Sequence, residues 1–280
     1  MNSFKTALLF IMLTLMLILL GYFLGGKQGV TIAFGIAMVM NLGSYWFSDK
    51  IVLKIYKAKI IDEADNPRLY KIVRLATQVA GLPMPKVYIV PSQSPNAFAT
   101  GRNPEHAAVA ATEGILELLN DDELTGVMAH ELGHVKNRDT LVAAVAATIA
   151  GAISYIGFMI RWLPFFGDDD DSPLGFVGII LIGILAPIAA MLIQMAISRQ
   201  REYLADRASA EMSHKSLALA SALNKIHTYS RKIPLKSNPA SAHMFIINPL
   251  TKGSFISLFS THPSVESRVE KLQEYSREGL

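Results

Sequence analysis

Hydrophobic and polar positions divide the chain into two regimes. Four stretches carry no charged side chain at all: 6–26, 28–48, 140–160 and 172–198. A helix needs about 20 mainly apolar residues to cross a hydrocarbon core of about 30 Å, so each stretch has the length of a membrane span. The pattern predicts spans over Phe4–Leu24, Val30–Phe47, Leu141–Ile160 and Leu174–Ile197. Gly25-Gly26-Lys27-Gln28-Gly29 reads as a tight turn that folds the first two into a hairpin. A cleaved signal peptide also starts with a positive charge and an apolar run. Its apolar core is only about 7–15 residues long, however, and here a second span follows almost at once. Tyr45 and Trp46 near the end of the second span suit the aromatic belt of a bilayer interface. The third span is rich in Ala, Gly and Ser, which favours packing against other helices. A buried helix of a soluble protein would read the same way. Pro187 predicts a kink in the fourth span.

Between the second and third spans the periodicity changes. Leu69, Ile72, Val73, Ala76 and Val79 form a helical stripe over 67–80, with Gly81 placed to end it. Lys86–Val90 reads as a strand, and 96–101 and 106–112 follow as further extended segments separated by proline-containing turns. Asn120 and Glu123 have capping-box spacing and open a helix through about Asn137. A terminal helix covers 264–277. These elements make a small α+β unit.

Composition sharpens the picture. The chain has 280 residues, 51% hydrophobic and 18% charged, against about 45–50% and about 25% in soluble globular proteins. It is neither polar enough for disorder nor periodic in Gly. Cys is absent, which excludes disulfides, iron–sulfur clusters and thiolate zinc sites, so a metal must be held by His, Asp or Glu. The net charge is +3, and no basic run is interleaved with aromatics, so nothing points to nucleic acid. Lys50, Lys54, Lys57 and Lys59 follow the second span, and Arg199, Arg201 and Arg207 follow the fourth. Positive flanks face the cytoplasm, which places both termini and the segments 50–139 and 199–280 there. The loop with Arg161 and Asp168–Asp171 then lies on the opposite side. That aspartate run reads as a solvated loop and not a calcium site, since no EF-hand spacing accompanies it.

The chemistry is carried by His130-Glu131-Leu132-Gly133-His134 on the capped helix. Residues four apart lie about 40° apart around a helix, so both imidazoles can meet one Zn²⁺. Glu131 projects about 100° away and can act on a water without being a ligand. Catalytic zinc needs a third protein ligand and an open position. The extended metzincin pattern is excluded, because Asn137 and Thr140 stand where Gly and His would be needed. Downstream, Glu202 and Asp206 lie four apart on one helix face. Glu202 as ligand, with Asp206 accepting the other N–H of a ligand histidine, would give a His₂Glu site and its supporting shell. Two acids at this spacing are also common on a solvated face. The membrane layout favours the site: His134 and Glu202 flank the third and fourth spans closely enough to lie within about 10 Å of one membrane face.

His130-Glu131-Leu132-Gly133-His134 with Asn137-Arg138-Asp139, and Arg201-Glu202-Tyr203-Leu204-Ala205-Asp206, resemble the HtpX family of membrane-bound zinc metalloproteases. So do Asn96–Gly101 and Thr261–Arg268. This family is related to the prenyl-protein-processing CAAX proteases. The resemblance covers nearly the whole chain. It implies a mainly α membrane protein with a small α+β cytoplasmic zincin-type (gluzincin-like) protease domain and about four transmembrane helices. The expected organisation is a two-helix hairpin over 1–49, a protease part with the HExxH helix over 50–139, a second hairpin over 140–198, and a protease part with the third ligand over 199–280. It further implies one Zn²⁺ on His130, His134 and Glu202, with Glu131 as catalytic base. The implied activity is cytoplasmic-side cleavage of unfolded, misfolded or damaged membrane proteins in a bacterial inner membrane, with the lipid bilayer as the other partner. His262 is a candidate donor to the oxyanion, and equally a cap for the terminal helix. Arg268 could hold a carboxylate of the site or lie on the surface. The other histidines (His106, His214, His227, His243) lack ligand spacing. Substrate binding is expected by strand addition on 96–101 or 106–112. Two alternatives stand beside this reading: a processing protease of the CAAX kind with one defined substrate, and a non-catalytic metal-binding membrane sensor or transporter component. Transport would require ionisable groups inside the spans, and their cores have none.

Overall fold

The computed structural model describes residues 2–149, 199–230, 232–233, 244–246 and 263–280. The chain opens with α1 (Asn2–Ile55), whose helix is broken only at Gly25 and at Gly26 (φ 54°). A positive φ at Gly26 is cheap only without a Cβ. The break is shorter than the five-residue turn expected, because helix resumes at Lys27. Its two arms pack backbone to backbone, and a Cβ on Gly21 would stand 2.3 Å from the Gly29 carbonyl oxygen. The Asn41 amide ties them together by donating to the Phe10 carbonyl (3.3 Å) and the Thr14 hydroxyl (2.9 Å).

The first arm buries Leu9, Leu13 and Met16 against Val142, Val145 and Ile149 of the later helix Thr140–Ile149, here α5. Ile11, Leu15, Leu19, Ile32, Phe34 and Val39 are exposed. Four spans are expected from the sequence. Among the described residues one helix, Gly25–Ile55, is long and apolar enough to cross a membrane, and Thr6–Leu19 and Thr140–Ile149 are shorter apolar helices. The second arm passes the expected end at Phe47 and carries on to Ile55. The rest of the third expected span and all of the fourth, 174–197, with the Asp168–Asp171 loop, lie outside the described residues.

The soluble part is built on a mixed four-stranded sheet: β1 (Lys59–Ile61), β2 (Lys86–Val90), β3 (Ala97–Thr100) and β4 (Ala108–Thr112). The spatial order is β1-β2-β4-β3, with β2 parallel to β4 and the two outer pairs antiparallel. β4 is therefore central and fully buried, as its unbroken apolar run requires. It starts later than expected, because Asn103 caps a 3₁₀ turn over Pro104–His106. Around the sheet lie α2 (Pro67–Ala80), α3 (Glu113–Leu118), α4 (Asp121–Lys136), α6 (Arg199–Ser213), α7 (Ser216–Ser230) and α8 (Val265–Arg277). α2 ends at Gly81 in the left-handed conformation, and α4 opens with the Asn120/Glu123 capping box, both as the sequence predicts. Ser264 caps α8.

α4 is the central element. Leu124, Val127, Met128 and Leu132 join Leu69 and Val73 of α2, Val109 of β4, Leu223 of α7 and Leu272 of α8 in one core. Being covered on most sides, α4 is buried nearly all round between Glu123 and Val135, not along a single stripe. Its two glycines are the points of closest approach. A Cβ on Gly126 would lie 3.0 Å from Leu219, and one on Gly133 would lie 3.2 Å from the Cα of Ala205 in α6. Gly133 stands between the two motif histidines and opposite the helix that carries Glu202. Substituting Gly133→Leu should destabilise the protein by about 1–3 kcal/mol through overpacking. Because α6 must move away, bound zinc should fall as well. Thermal unfolding with and without added zinc checks both effects.

Candidate metal centre

Helical spacing on α4 brings the two imidazoles together edge to face, with ring centroids 4.8 Å apart. Their Nε2 atoms are separated by 3.2 Å. From α6, Glu202 places Oε2 3.8 Å from the Nε2 of His130 and Oε1 3.6 Å from that of His134. One ligand atom from each of the three residues lies within 4.8 Å of the other two. Tetrahedral zinc with bonds of about 2.0–2.2 Å separates its donors by about 3.3–3.6 Å. The donor set and its spacing therefore fit Zn²⁺.

The surroundings orient these donors. The Nδ1 of His130 lies 2.9 Å from Oδ1 of Asp206, which directs Nε2 into the cluster. Arg268 grips both oxygens of Asp206, donating from Nε at 2.9 Å and from Nη2 at 2.6 Å. It also donates from Nη1 to the Ile246 carbonyl at 2.9 Å. Arg268 is 2% exposed and is no surface arginine. Burial pushes the Asp206 carboxyl up, but the Arg268 charge and hydrogen bonds prevail and hold it below the usual carboxylate range. On the other side of the cluster, the Nδ1 of His134 lies 3.3 Å from Oδ2 of Asp139.

Glu131 is also buried, and burial, reinforced by the charge of Glu202, pushes its pKa up to about 7. Its carboxylate accepts from the Ala99 N–H, while Oε1 has no hydrogen-bond partner. An orphaned oxygen on a side chain next to the ligand set is where an attacking water needs an acceptor. The two histidines titrate apart. Burial and the neighbouring Arg268 press His130 down to about 4. Burial also lowers His134, but its Asp139 hydrogen bond and the charges of Glu202 and Glu131 outweigh that and hold it at about 9.

The structure thus gathers His130, Glu131, His134, Glu202 and Asp206 in one place, with Arg268 among them. His262, the oxyanion candidate, and His243 lie outside the described residues. His106 sits on the surface with its Nδ1 2.7 Å from Asn103. Asp139 is the neighbour that spacing does not reveal. Five residues beyond His134 it should face away, but Arg138 at φ 56° turns the chain back.

The two strand-addition candidates separate. β4 is interior, so 106–112 offers no free edge, whereas β3 is an edge strand. The Asn96 carbonyl accepts from Thr112 N–H at 3.0 Å, so alternate residues Ala97 and Ala99 turn their peptide groups away from β4. That outer edge is partly used. The Ile246 N–H donates to the Ala97 carbonyl at 3.2 Å, and Phe98 is packed against Tyr56 and Phe245 with ring centroids 5.8 and 5.3 Å away.

Residues 63–276 match the model of the family described as Peptidase family M48. The chain is similar to a "Protease HtpX homolog" of Desulfatibacillum aliphaticivorans, with 53% identity over 97% of this chain and 89% of that protein. Another protein of the same name, from Pyrococcus furiosus, is 54% identical over 98% of this chain and 96% of its own length. Among solved structures, the crystal structure of S. mikatae Ste24p aligns with a TM-score of 0.51 and 16% identity, covering 97% of this chain. This chain spans 63% of that one, and the likeness is one of fold.

Zinc binds only the deprotonated imidazole. With His134 at about 9 in the metal-free protein, zinc uptake near pH 7 must displace its proton. His130 is already neutral there. Apparent affinity should therefore rise with pH from about 7 towards about 9 and then level off, with roughly one proton released from His134 near neutrality. Calorimetry in buffers of different ionisation enthalpy measures that release, and an affinity flat across this window would contradict the arrangement.

Proposed function

Because the chain belongs to peptidase family M48, we propose that it is a zinc-dependent endopeptidase of membrane-protein quality control, with His130, His134 and Glu202 as metal ligands and Glu131 as general base. The observation that carries this reading is the convergence of two Nε2 atoms and one carboxylate on a single point, beside a buried glutamate with one oxygen unengaged. Zn²⁺ bound there supplies a Lewis acid that activates water and polarises the scissile carbonyl. Glu131 takes the proton of the attacking water and delivers it to the leaving amine, a task suited by its raised pKa. Asp206 keeps the Nδ1 proton of His130 in place, and Arg268 keeps Asp206 charged and fixed. His262 is assigned as a donor to the oxyanion from its place in the His262-Pro263 element.

An extended substrate would add to the outer edge of β3. The Ala97 carbonyl is already engaged, so the carbonyl of Ala99 is the anchor for the incoming backbone. Recognition through main-chain groups suits a protease of unfolded or misfolded membrane proteins, whose sequences are unrelated. The proposed setting is a multi-pass protein of a bacterial inner membrane, with four spans, a gluzincin-type domain formed by 50–139 and 199–280, and termini and site in the cytoplasm. The membrane-length helix Gly25–Ile55, with Lys50 and Lys54 in its last turns and Lys57 and Lys59 after it, and α5 starting four residues after α4 support this placement.

Substituting Glu131→Gln should lower hydrolysis of an unfolded casein-type substrate by about 10²–10⁴-fold while zinc remains bound, measured on detergent-purified protein. Retained hydrolysis would remove Glu131 as base. If the wild-type protein binds zinc but cleaves nothing, the metal-sensor reading takes over. Glu202→Ala should instead lose the metal, and full zinc occupancy in that variant would point to a different third ligand.

A further inference from the structure

Asp139 occupies an unusual junction. Its backbone N–H donates to the His134 carbonyl at 2.9 Å, closing the end of α4, and its own carbonyl accepts from Ala143 N–H at 3.1 Å, opening α5. The residue is 5% exposed, and its side chain faces two ways. Oδ2 lies 3.3 Å from Nδ1 of His134, and Oδ1 lies 3.5 Å from Nη1 of Arg201. Arg201 is itself buried and precedes Glu202 on α6. Its Nε and Nη2 have no hydrogen-bond partner, so among the described residues its guanidinium hydrogen-bonds through Nη1 to Asp139. One carboxylate therefore touches the second motif histidine directly and reaches the residue next to Glu202 through a single ion pair.

These contacts also sit where the apolar stretches 140–160 and 172–198 join the protease part. A buried arginine leaving two donors unmatched is costly, and a buried ion pair adds little stability by itself. Its geometry is nevertheless suited to fixing the relative position of α4 and α6.

We propose that Asp139 and Arg201 are positioning residues for the metal centre: Asp139 holds the His134 ring with Nε2 turned to the metal, and Arg201 locks Asp139 to the helix that presents Glu202. This inference rests on the reading of His134 and Glu202 as ligands. Asp139 thereby does for His134 what Asp206 does for His130, and the pair joins the two ligand-bearing helices beside the start of α5.

The test uses the full chain in detergent, with zinc affinity from chelator competition and visible d–d bands of the cobalt-loaded protein as readouts. Asp139→Ala should weaken zinc binding by about 10–100-fold, the usual effect of losing an outer partner of a ligand histidine, and should shift the cobalt bands. Arg201→Met should act in the same direction. The double variant should be no weaker than Asp139→Ala alone, since both act through one contact. Arg201→Lys, which restores the charge, should recover most of the affinity lost in Arg201→Met. Where Asp139→Ala fails to fold, Asp139→Asn carries the test with the same expected direction.

Unchanged affinity and cobalt bands in the folded Asp139 variant would overturn the proposal, as would effects of the two substitutions that simply add. His134→Ala in the same assay separates the two levels. Zinc lost there but untouched by Asp139 substitution sinks the positioning role alone, whereas zinc kept at wild-type affinity in His134→Ala sinks the ligand reading and this inference together.

Discussion

The site depends on the grip of Arg268 on Asp206. Around the two imidazoles lie the carboxylates of Glu131, Glu202, Asp206 and Asp139, all of them buried. Negative charges packed this closely without water repel one another and drive protonation. Arg268 from α8 answers that repulsion at its centre. It takes Asp206 with two donors and stands 3.6 Å from Glu202. Removing such a partner leaves an uncompensated buried charge, which is far more damaging than the pair is stabilising. α8 is thus tied electrostatically to α4 and α6, and the last helix of the chain belongs to the chemistry of the centre.

The outcome is a set of titrating groups whose properties diverge. His130 lies against a cation and is neutral, His134 lies among anions and holds a proton, and Glu131 in a dry position is poised near neutrality. Environment alone thus sets how readily each of these groups holds a proton before metal binds, while the two histidines share one proposed role as ligands.

Much of this was legible in the amino-acid order because it is local. The Asn120/Glu123 cap, the Gly81 stop and the four-residue spacing of His130/His134 and of Glu202/Asp206 are all set within one helix, where periodicity is a sufficient guide. What was missed depends on the path of the chain. Asp139 reaches His134 only because Arg138 adopts a positive φ, and strand 106–112 lost its first residues to a 3₁₀ turn capped by Asn103. β4 proved central and β3 an edge, a matter of strand order that no single strand encodes. Arg268 could be suspected from its motif, but its burial comes from three helices meeting. Apolar length alone gives four spans; one helix among the described residues meets that length, and 150–198 lie outside those residues.

The Ile246 contact on Ala97 has a consequence for solubility and traffic around the site. A bare sheet margin is sticky, and copies of a protein with one exposed tend to zip together. Here the margin of β3 is capped by a piece of its own chain, held by the backbone bond to Ala97, by Phe245 wedged between Tyr56 and Phe98, and by Arg268 on the Ile246 carbonyl. Among the described residues, the Ala97 carbonyl and the Ala99 N–H of that margin are both engaged, which leaves little of it free to seed sheet-to-sheet association.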